Sequence, residues 1–322
     1  MGGLRVTGRG CACYPDPAGE GEQAMRRRKW LGWGAAALAL ALGEAMAAQA
    51  APAPTAQEAI DRAPPAAWQD VPAEDLLVMT LGDGARVSIH LAAMFAPVHV
   101  ANIRALARAG RFDGGAIVRV QDNYVVQWAV AAGGATPTGF VANPPAEYDV
   151  PAAMGRFRPL GFRDAYAERT GHVAGWPAAE EGGRRWLVHC YGMVGVGRDM
   201  PPDTGSGVEL YAVIGHGPRH LDRNIALVGR VLEGIDRMAA RPRGSEEMGF
   251  YKTPAERVTI RSARIASDIA QSERPAFQLL DSDSASFAAW ADARANRRDP
   301  FFVRPAGAAD ICNVMTPVRK RP

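Results

Sequence analysis

Few residues of this 322-residue chain are of a type and spacing that could do chemistry. His216 and His220 lie four apart, but Gly217-Pro218 between them breaks a helix and removes support for a metal pair. The glycine-rich run Gly192 to Gly197 lacks the strand, G-x-G-x-x-G and helix order of a dinucleotide site. Asp203-Thr204-Gly205-Ser206-Gly207 lacks the lysine of a phosphate loop, and no G-x-S-x-G elbow supports a serine hydrolase. No metal and no cofactor is therefore expected. What is left is a guanidinium, Arg119, with an amide, Gln127, eight residues further on, and two tyrosines, Tyr124 and Tyr211, in apolar runs. Taken singly, Arg119 reads as a solvated or salt-bridged strand residue, Gln127 as a backbone partner and the tyrosines as core aromatics.

The elements around these residues are mostly short strands. Leu76–Leu81 and Arg86–Leu91 flank Gly82-Asp83-Gly84, a hairpin signal, and Val87, Ile89 and Leu91 alternate with polar neighbours. Pro97 to Ala109 has helical spacing, with proline at its first position and Gly110 to end it. Ala116–Val120 and Tyr124–Val130 are split by Gln121-Asp122-Asn123, a turn that sets Arg119 and Gln127 on adjacent strands. Residues 131–185 are rich in Gly, Pro and Ala and read as long loops with one strand near Glu147-Tyr148. Strands resume at Trp186–His189, Met193–Val196, Val208–Ile214 and Ile225–Val231. A short helix follows at Glu233–Ala240 and a last strand at Arg257–Ile265. This order predicts a mainly β fold, a closed antiparallel barrel with two helices at its ends. Residues 268–322 read as a C-terminal extension with a helix at Ser284–Arg294.

Arg26 to Lys29 form a positive n-region, and Leu31 to Leu42 an apolar run of h-region length. A-x-A-like sites follow at Ala45-Met46-Ala47 and Ala48-Gln49-Ala50. Residues 1–50 are thus expected to be a signal region, with 1–24 upstream of Met25, itself able to serve as the start. The run falls short of the ~20 residues of a membrane span, so no stable membrane insertion is expected after cleavage. Residues 51–74, rich in Ala and Pro, read as a linker, and 75–267 as the domain. The whole chain carries 37 basic and 34 acidic residues, and 31 and 30 remain after the signal region. So even a balance argues against a nucleic-acid partner. Cys190 and Cys312 also remain; in an oxidising compartment they could pair, or stay as two buried thiols.

Five fragments, in order, resemble the cyclophilin family over roughly residues 75–267. Ala96-Pro97-Val98-His99-Val100-Ala101-Asn102 resembles its AP-x-x-V-x-N helix. Phe112-Asp113-Gly114, Ile117-Val118-Arg119-Val120 and Tyr124-Val125-Val126-Gln127 resemble its Y-D-G turn and F-H-R-V-(x)3-F-x-x-Q-G-G-D. Gly192 to Arg198 is similar to its G-x-L-S-M-A-N-A strand, and Val208-Glu209-Leu210-Tyr211-Ala212 to its S-Q-F-F-I strand. Leu221-Asp222-Arg223-Asn224, Val228-Gly229-Arg230-Val231 and Gly234 are similar to L-D-G-x-(x)3-F-G-x-V-x-x-G. The departures are Val118 for histidine, Trp128-Ala129-Val130 for Gly-Gly-Asp, Glu209 for glutamine, His220 for tryptophan and Ile225 for a pocket histidine.

The resemblance implies a cyclophilin-like β-barrel and peptidyl-prolyl cis-trans isomerase activity that assists the folding of periplasmic proteins. The partners would be proline-containing polypeptides. It casts Arg119 and Gln127 as the catalytic pair: Arg119 as a permanently charged donor to the twisting prolyl amide, Gln127 as a partner for the substrate carbonyl. Tyr124, Val125, Tyr211 and Leu221 would form the proline pocket, Gly197 its neighbouring groove and Ile225 an apolar wall. His220, in the place of the family's tryptophan, would contact substrate, and Glu209 would pair with Arg119. The alternative is a catalytically weak peptide-binding or chaperone module of the same fold, which the departures at Val118, Trp128 and His220 favour.

Overall fold

The computed structural model describes residues 54–322. The expected signal region, with Cys11 and Cys13, lies outside the described residues. The first element, α1 (Ala56–Asp61), starts at Thr55, whose hydroxyl and the Glu58 carboxylate form a reciprocal capping box. Then come β1 (Trp68–Asp70), β2 (Leu76–Leu81) and β3 (Arg86–Leu91). The hairpin between β2 and β3 turns on Gly84, whose φ of +88° favours glycine, while Asp83 accepts from the Ala85 N–H.

The helix α2 (Pro97–Arg108) opens on proline and is capped from a distance. The Glu147 carboxylate accepts the N–H groups of Val98 and His99 at 2.9 and 3.0 Å and the His99 ring at 2.6 Å. Two orphan donors of the first turn are thereby satisfied by a negative charge at the positive end of the helix. Next along the chain are β4 (Ala116–Val120), β5 (Val125–Ala129), β6 (Val150–Pro151), β7 (Phe157–Pro159), β8 (Arg169–Val173), β9 (Trp176–Glu181) and β10 (Arg184–Leu187). The chain continues through β11 (Met193–Val196), β12 (Glu209–Val213), β13 (Leu227–Glu233), α3 (Ile235–Ala239), β14 (Val258–Ile265), β15 (Phe277–Leu280), α4 (Ala285–Ala295) and β16 (Val318–Lys320).

Eight antiparallel strands close a barrel in the order β11-β12-β5-β4-β14-β2-β3-β13. Alternate residues point inward: Met79 and Leu81 from β2, Val87 and Ile89 from β3, Val126 and Trp128 from β5, Leu210 and Ala212 from β12. The apolar stripe of α2 (Val100, Ile103, Leu106, Ala107) and Met238 of α3 pack into the same core. The barrel and its two helices agree with the expectation from sequence.

Two readings are corrected. Residues 131–185 are not merely loops: β6-β10-β9-β8-β7 form a five-stranded antiparallel sheet. It packs Val173, Trp176, Ala178 and Trp186 against the barrel residues Met193 and Leu227. Its strands are two to six residues long and several are buried on nearly every residue, so no alternation marks them. Residues 54–74 are not a flexible linker either. β1 pairs with β15, which pairs with β16, and α1 lies against α4, so Ala59, Trp68, Leu280, Phe287 and Trp290 share a small core. The Arg319 guanidinium sits 4.1 Å over the Trp68 ring. An element of six residues is too short to display a helical period, which is why composition suggested a linker.

Cys190 and Cys312 are joined by a disulfide across 122 residues, with their Cα atoms 5.0 Å apart. It fastens the C-terminal extension beside β11, where Ile311 enters the core of the second sheet.

Two buried histidines beside these cores are neutral rings, His90 next to Trp176 and His172 next to Phe287. His90 stacks on Trp176 at 4.5 Å, and His172 Nε2–H donates to the Val314 carbonyl at 2.8 Å. Burial pushes both down to about 4 from the usual 6.5, and the nearby Arg230 guanidinium acts in the same direction. The unfolded chain therefore takes up two protons near pH 6.5 that the folded chain refuses until about pH 4. Stability is expected to be full above pH 6.5 and to fall progressively toward pH 4. Urea melts at pH 7 and pH 4.5 check this, and equal midpoints would contradict it.

Candidate active site

One row of side chains crosses four barrel strands on the outer face. Arg119 of β4 lies opposite Gln127 of β5, Gln127 opposite Tyr211 of β12, and Tyr211 opposite Gly195 of β11. In β4 the register shifts between Ile117 and Arg119. This irregularity lets Ile117 and Val120 both enter the core while Arg119 faces out. Inward Val126 and Trp128 likewise force Val125 and Gln127 to the outside.

Arg119, Gln127 and Tyr211 of this row floor a groove of about 390 Å³. Its lining includes Arg119, Tyr124, Val125, Gln127, Gly197, Glu209, Tyr211, Leu221 and Ile225, all of them expected from sequence. Val125, Tyr211 and Val213, with Tyr124 and Ile225 against them, form an apolar cluster separate from the barrel core. His220 is placed differently. It sits exposed on the 3-10 turn Arg219–Leu221 with its ring parallel to Tyr124 at 6.5 Å, outside the groove lining, and Leu221 reaches the groove instead.

Arg119 is held in place from three sides. Its Nε donates to the Met248 carbonyl at 2.7 Å, its Nη1 to Gln127 Oε1 at 3.1 Å and its Nη2 to Gln121 Oε1. The guanidinium also lies over the rings of Phe250 and Tyr124, at 5.3 and 5.8 Å. Burial draws its pKa below the usual arginine value, which leaves it a cation at any working pH.

Glu209 does not pair with Arg119 as expected; among the described residues no carboxylate does. Gln127 stands between them. Its Nε2 donates to Glu209 Oε2 at 2.6 Å, and its Oε1 accepts from Arg119. The carboxylate demands a donor and the guanidinium an acceptor, so the amide has only one orientation that serves both. Glu209 thus orients Arg119 through Gln127. Glu209→Gln is expected to lower kcat/KM for an X-Pro peptide about two- to fivefold, the cost of replacing one charge-assisted bond by a neutral one. A marked rise in kcat/KM would instead mean that the carboxylate holds Arg119 away from substrate.

Met248 and Phe250, which close the groove beside Arg119, were not legible in the sequence. They reach it through a single bridge between Arg119 and Phe250 across 131 positions of chain. The one local signal is the island Met248-Gly249-Phe250-Tyr251 in an otherwise polar stretch.

Such a groove offers a fixed cation and an apolar pocket, with no serine, cysteine or lysine in the row. It suits a reaction in which no bond is exchanged and only an amide loses its resonance. The chain's similar solved structures include the cyclophilin AquaCyp293 from Hirschia baltica, at 24% identity, a TM-score of 0.63, and coverage of 79% of this chain and 93% of that one. A cyclophilin-type peptidyl-prolyl cis-trans isomerase of Cryptosporidium parvum, solved in the presence of the dipeptide Ala-Pro, matches at 12% identity and a TM-score of 0.36, over 59% of this chain and 98% of that one. No curated protein matches the sequence. The family model described as cyclophilin type peptidyl-prolyl cis-trans isomerase/CLD matches residues 76–265, the barrel from β2 to β14. That span is more than half of the chain, and the chain belongs to the cyclophilin-type peptidyl-prolyl cis-trans isomerase family.

Proposed function

We propose that this chain isomerises X-Pro bonds in extracytoplasmic polypeptides as they fold, with Arg119 as the donor that stabilises the twisted amide. The observation that carries this reading is the row Arg119–Gln127–Tyr211–Gly195 along one groove. The prolyl ring would rest on the apolar cluster of Tyr124, Val125 and Tyr211. There the prolyl nitrogen would come within reach of the guanidinium. Rotation about the bond faces a barrier of ~18–20 kcal/mol because the nitrogen lone pair is delocalised. In the perpendicular state the lone pair is localised and accepts a hydrogen bond that the planar amide cannot, so Arg119 binds that state preferentially. Gln127 keeps an amide hydrogen beyond the one given to Glu209, and this can meet the substrate carbonyl.

A compartment outside the cytoplasm is supported by the apolar run and A-x-A-like sites of residues 26–50 and by the Cys190–Cys312 disulfide, a bond that persists in oxidising surroundings. The decisive experiment is exchange NMR on a short Ala-Pro peptide: catalysed cis-trans exchange supports the reading, and saturable binding without exchange sinks it. That second outcome would fit a peptide-holding module, which one observation favours: three guanidinium N–H groups of Arg119 are already spent on protein acceptors.

A further inference from the structure

Behind the groove floor, buried side chains outside the groove lining are joined end to end. His189 is fully buried. Its Nδ1 lies 2.9 Å from Asp222 Oδ1 and its Nε2 2.9 Å from the Tyr211 hydroxyl. The same Asp222 oxygen accepts the backbone N–H of His189 at 3.0 Å, and the other accepts Arg219 Nε at 2.7 Å. Arg219 in turn holds both oxygens of Asp164, at 2.9 and 3.0 Å.

The proton positions follow from these partners. Asp222, ion-paired with Arg219, is a carboxylate and can only accept, so His189 Nδ1 carries the hydrogen. In the neutral ring Nε2 is then a bare lone pair, to which the Tyr211 hydroxyl donates. Burial raises the Tyr211 pKa well above its usual value, so the phenol keeps that hydrogen.

The steric setting is equally specific. Tyr211 stands where the family's S-Q-F-F-I strand has phenylalanine, and so brings a hydroxyl to the floor of an apolar pocket. A Cβ at Gly195, directly across the ladder, would lie 2.4 Å from that hydroxyl oxygen and 2.5 Å from Cζ. The ring therefore lies across a bare Cα, and any side chain there would displace it. The polar end is drawn to His189, while the ring stays in the apolar cluster with Val125 and Tyr124.

We infer that His189 is a positioning residue for the proline pocket: it takes the Tyr211 hydroxyl hydrogen and pins the ring over Gly195, so that an apolar face meets the prolyl ring. This rests on the reading of the groove as a prolyl site. Without His189 the hydroxyl has no buried acceptor, turns toward the groove and brings water into the place of the ring.

Two measurements test it. The first is ¹⁵N NMR of wild-type imidazole nitrogens, which is independent of turnover. His189 is expected as the Nδ1–H tautomer with an unprotonated Nε2, and the opposite tautomer overturns the inference. The second is steady-state kinetics on a succinyl-Ala-Ala-Pro-Phe anilide. His189→Leu is expected to raise KM about tenfold with kcat nearly unchanged, the loss of one hydrogen bond that orders the pocket. On a Tyr211→Phe background, His189→Leu is expected to raise KM by less than about twofold over Tyr211→Phe alone, since no hydroxyl is left to anchor. An equal rise from His189→Leu in both backgrounds, or no rise in the wild-type background, overturns it. Should His189→Leu fail to fold, the tautomer decides. If the prolyl reading itself is wrong, wild type accelerates nothing, a result separate from either outcome for His189.

Discussion

Arg119→Ala is expected to lower kcat/KM for an Ala-Pro peptide by about 10²-fold or more, the usual cost of deleting one donor aimed at the transition state. The loss should fall on kcat, because the apolar pocket of Tyr124, Val125 and Tyr211 still binds the prolyl ring. Folding should hardly change: Arg119 is half-buried on the outer face, and the barrel core holds no part of it. The substitution does leave Gln127 Oε1, Gln121 Oε1 and the Met248 carbonyl without their donor. Gln127 and Met248 line the groove and Gln121 is part-exposed, so water can replace the donor. Arg119→Lys is a sharper probe of the mechanism. It keeps the charge but cannot span three acceptors with one ammonium, so most of the loss should persist. A protease-coupled or exchange-NMR assay on matched protein concentrations reads both variants. Wild-type turnover in Arg119→Ala would remove Arg119 from the reaction.

Replacing Cys190 and Cys312 by serine is expected to cost about 4–5 kcal/mol of stability in the chain-entropy model, which scales with the long loop that the bond closes. That loop spans 122 residues and contains β11 to β15 and α4. The bond ties the strand end that carries His189 to the extension that carries Ile311, and Gly217 packs against both the His189 carbonyl and Cys312 Sγ. Urea melts of the oxidised protein and the double serine variant, at one pH above 7, give the difference. A loss below about 1 kcal/mol would mean that the unfolded chain is already compact, so that closing the loop removes little entropy from it. The extension has a second hold, since β15 and β16 complete a sheet with β1 and α4 lies on α1. The variant should therefore remain folded, with a lower midpoint, rather than shed its C-terminal residues.

What the sequence by itself determined lies within single elements. The alternation of Val87, Ile89 and Leu91, the stripe Val100, Ile103 and Leu106 and the Asp83-Gly84 turn each encode a backbone shape in adjacent residues, and the structure shows those shapes. The order of the five family-like fragments carried the barrel and, with it, the face on which Arg119, Gln127 and Tyr211 gather. A strand's period of two leaves only two faces to choose between, and the apolar partners Val126, Leu210 and Ala212 take the inner one. Tertiary structure alone decided the rest. Glu209 bonds Gln127 rather than Arg119 because the register of β5 against β12 puts the amide between them. Met248 and Phe250 reach the groove from a segment with no period of its own. The strands of the second sheet are too short and too fully buried to alternate, and α1 is too short to show a helical repeat. Two cysteines are compatible with a bond or with two thiols until the fold brings their Cα atoms to 5.0 Å. In each case the missing information is a distance between residues far apart in the chain, and such distances are set by how elements pack, which no local pattern records.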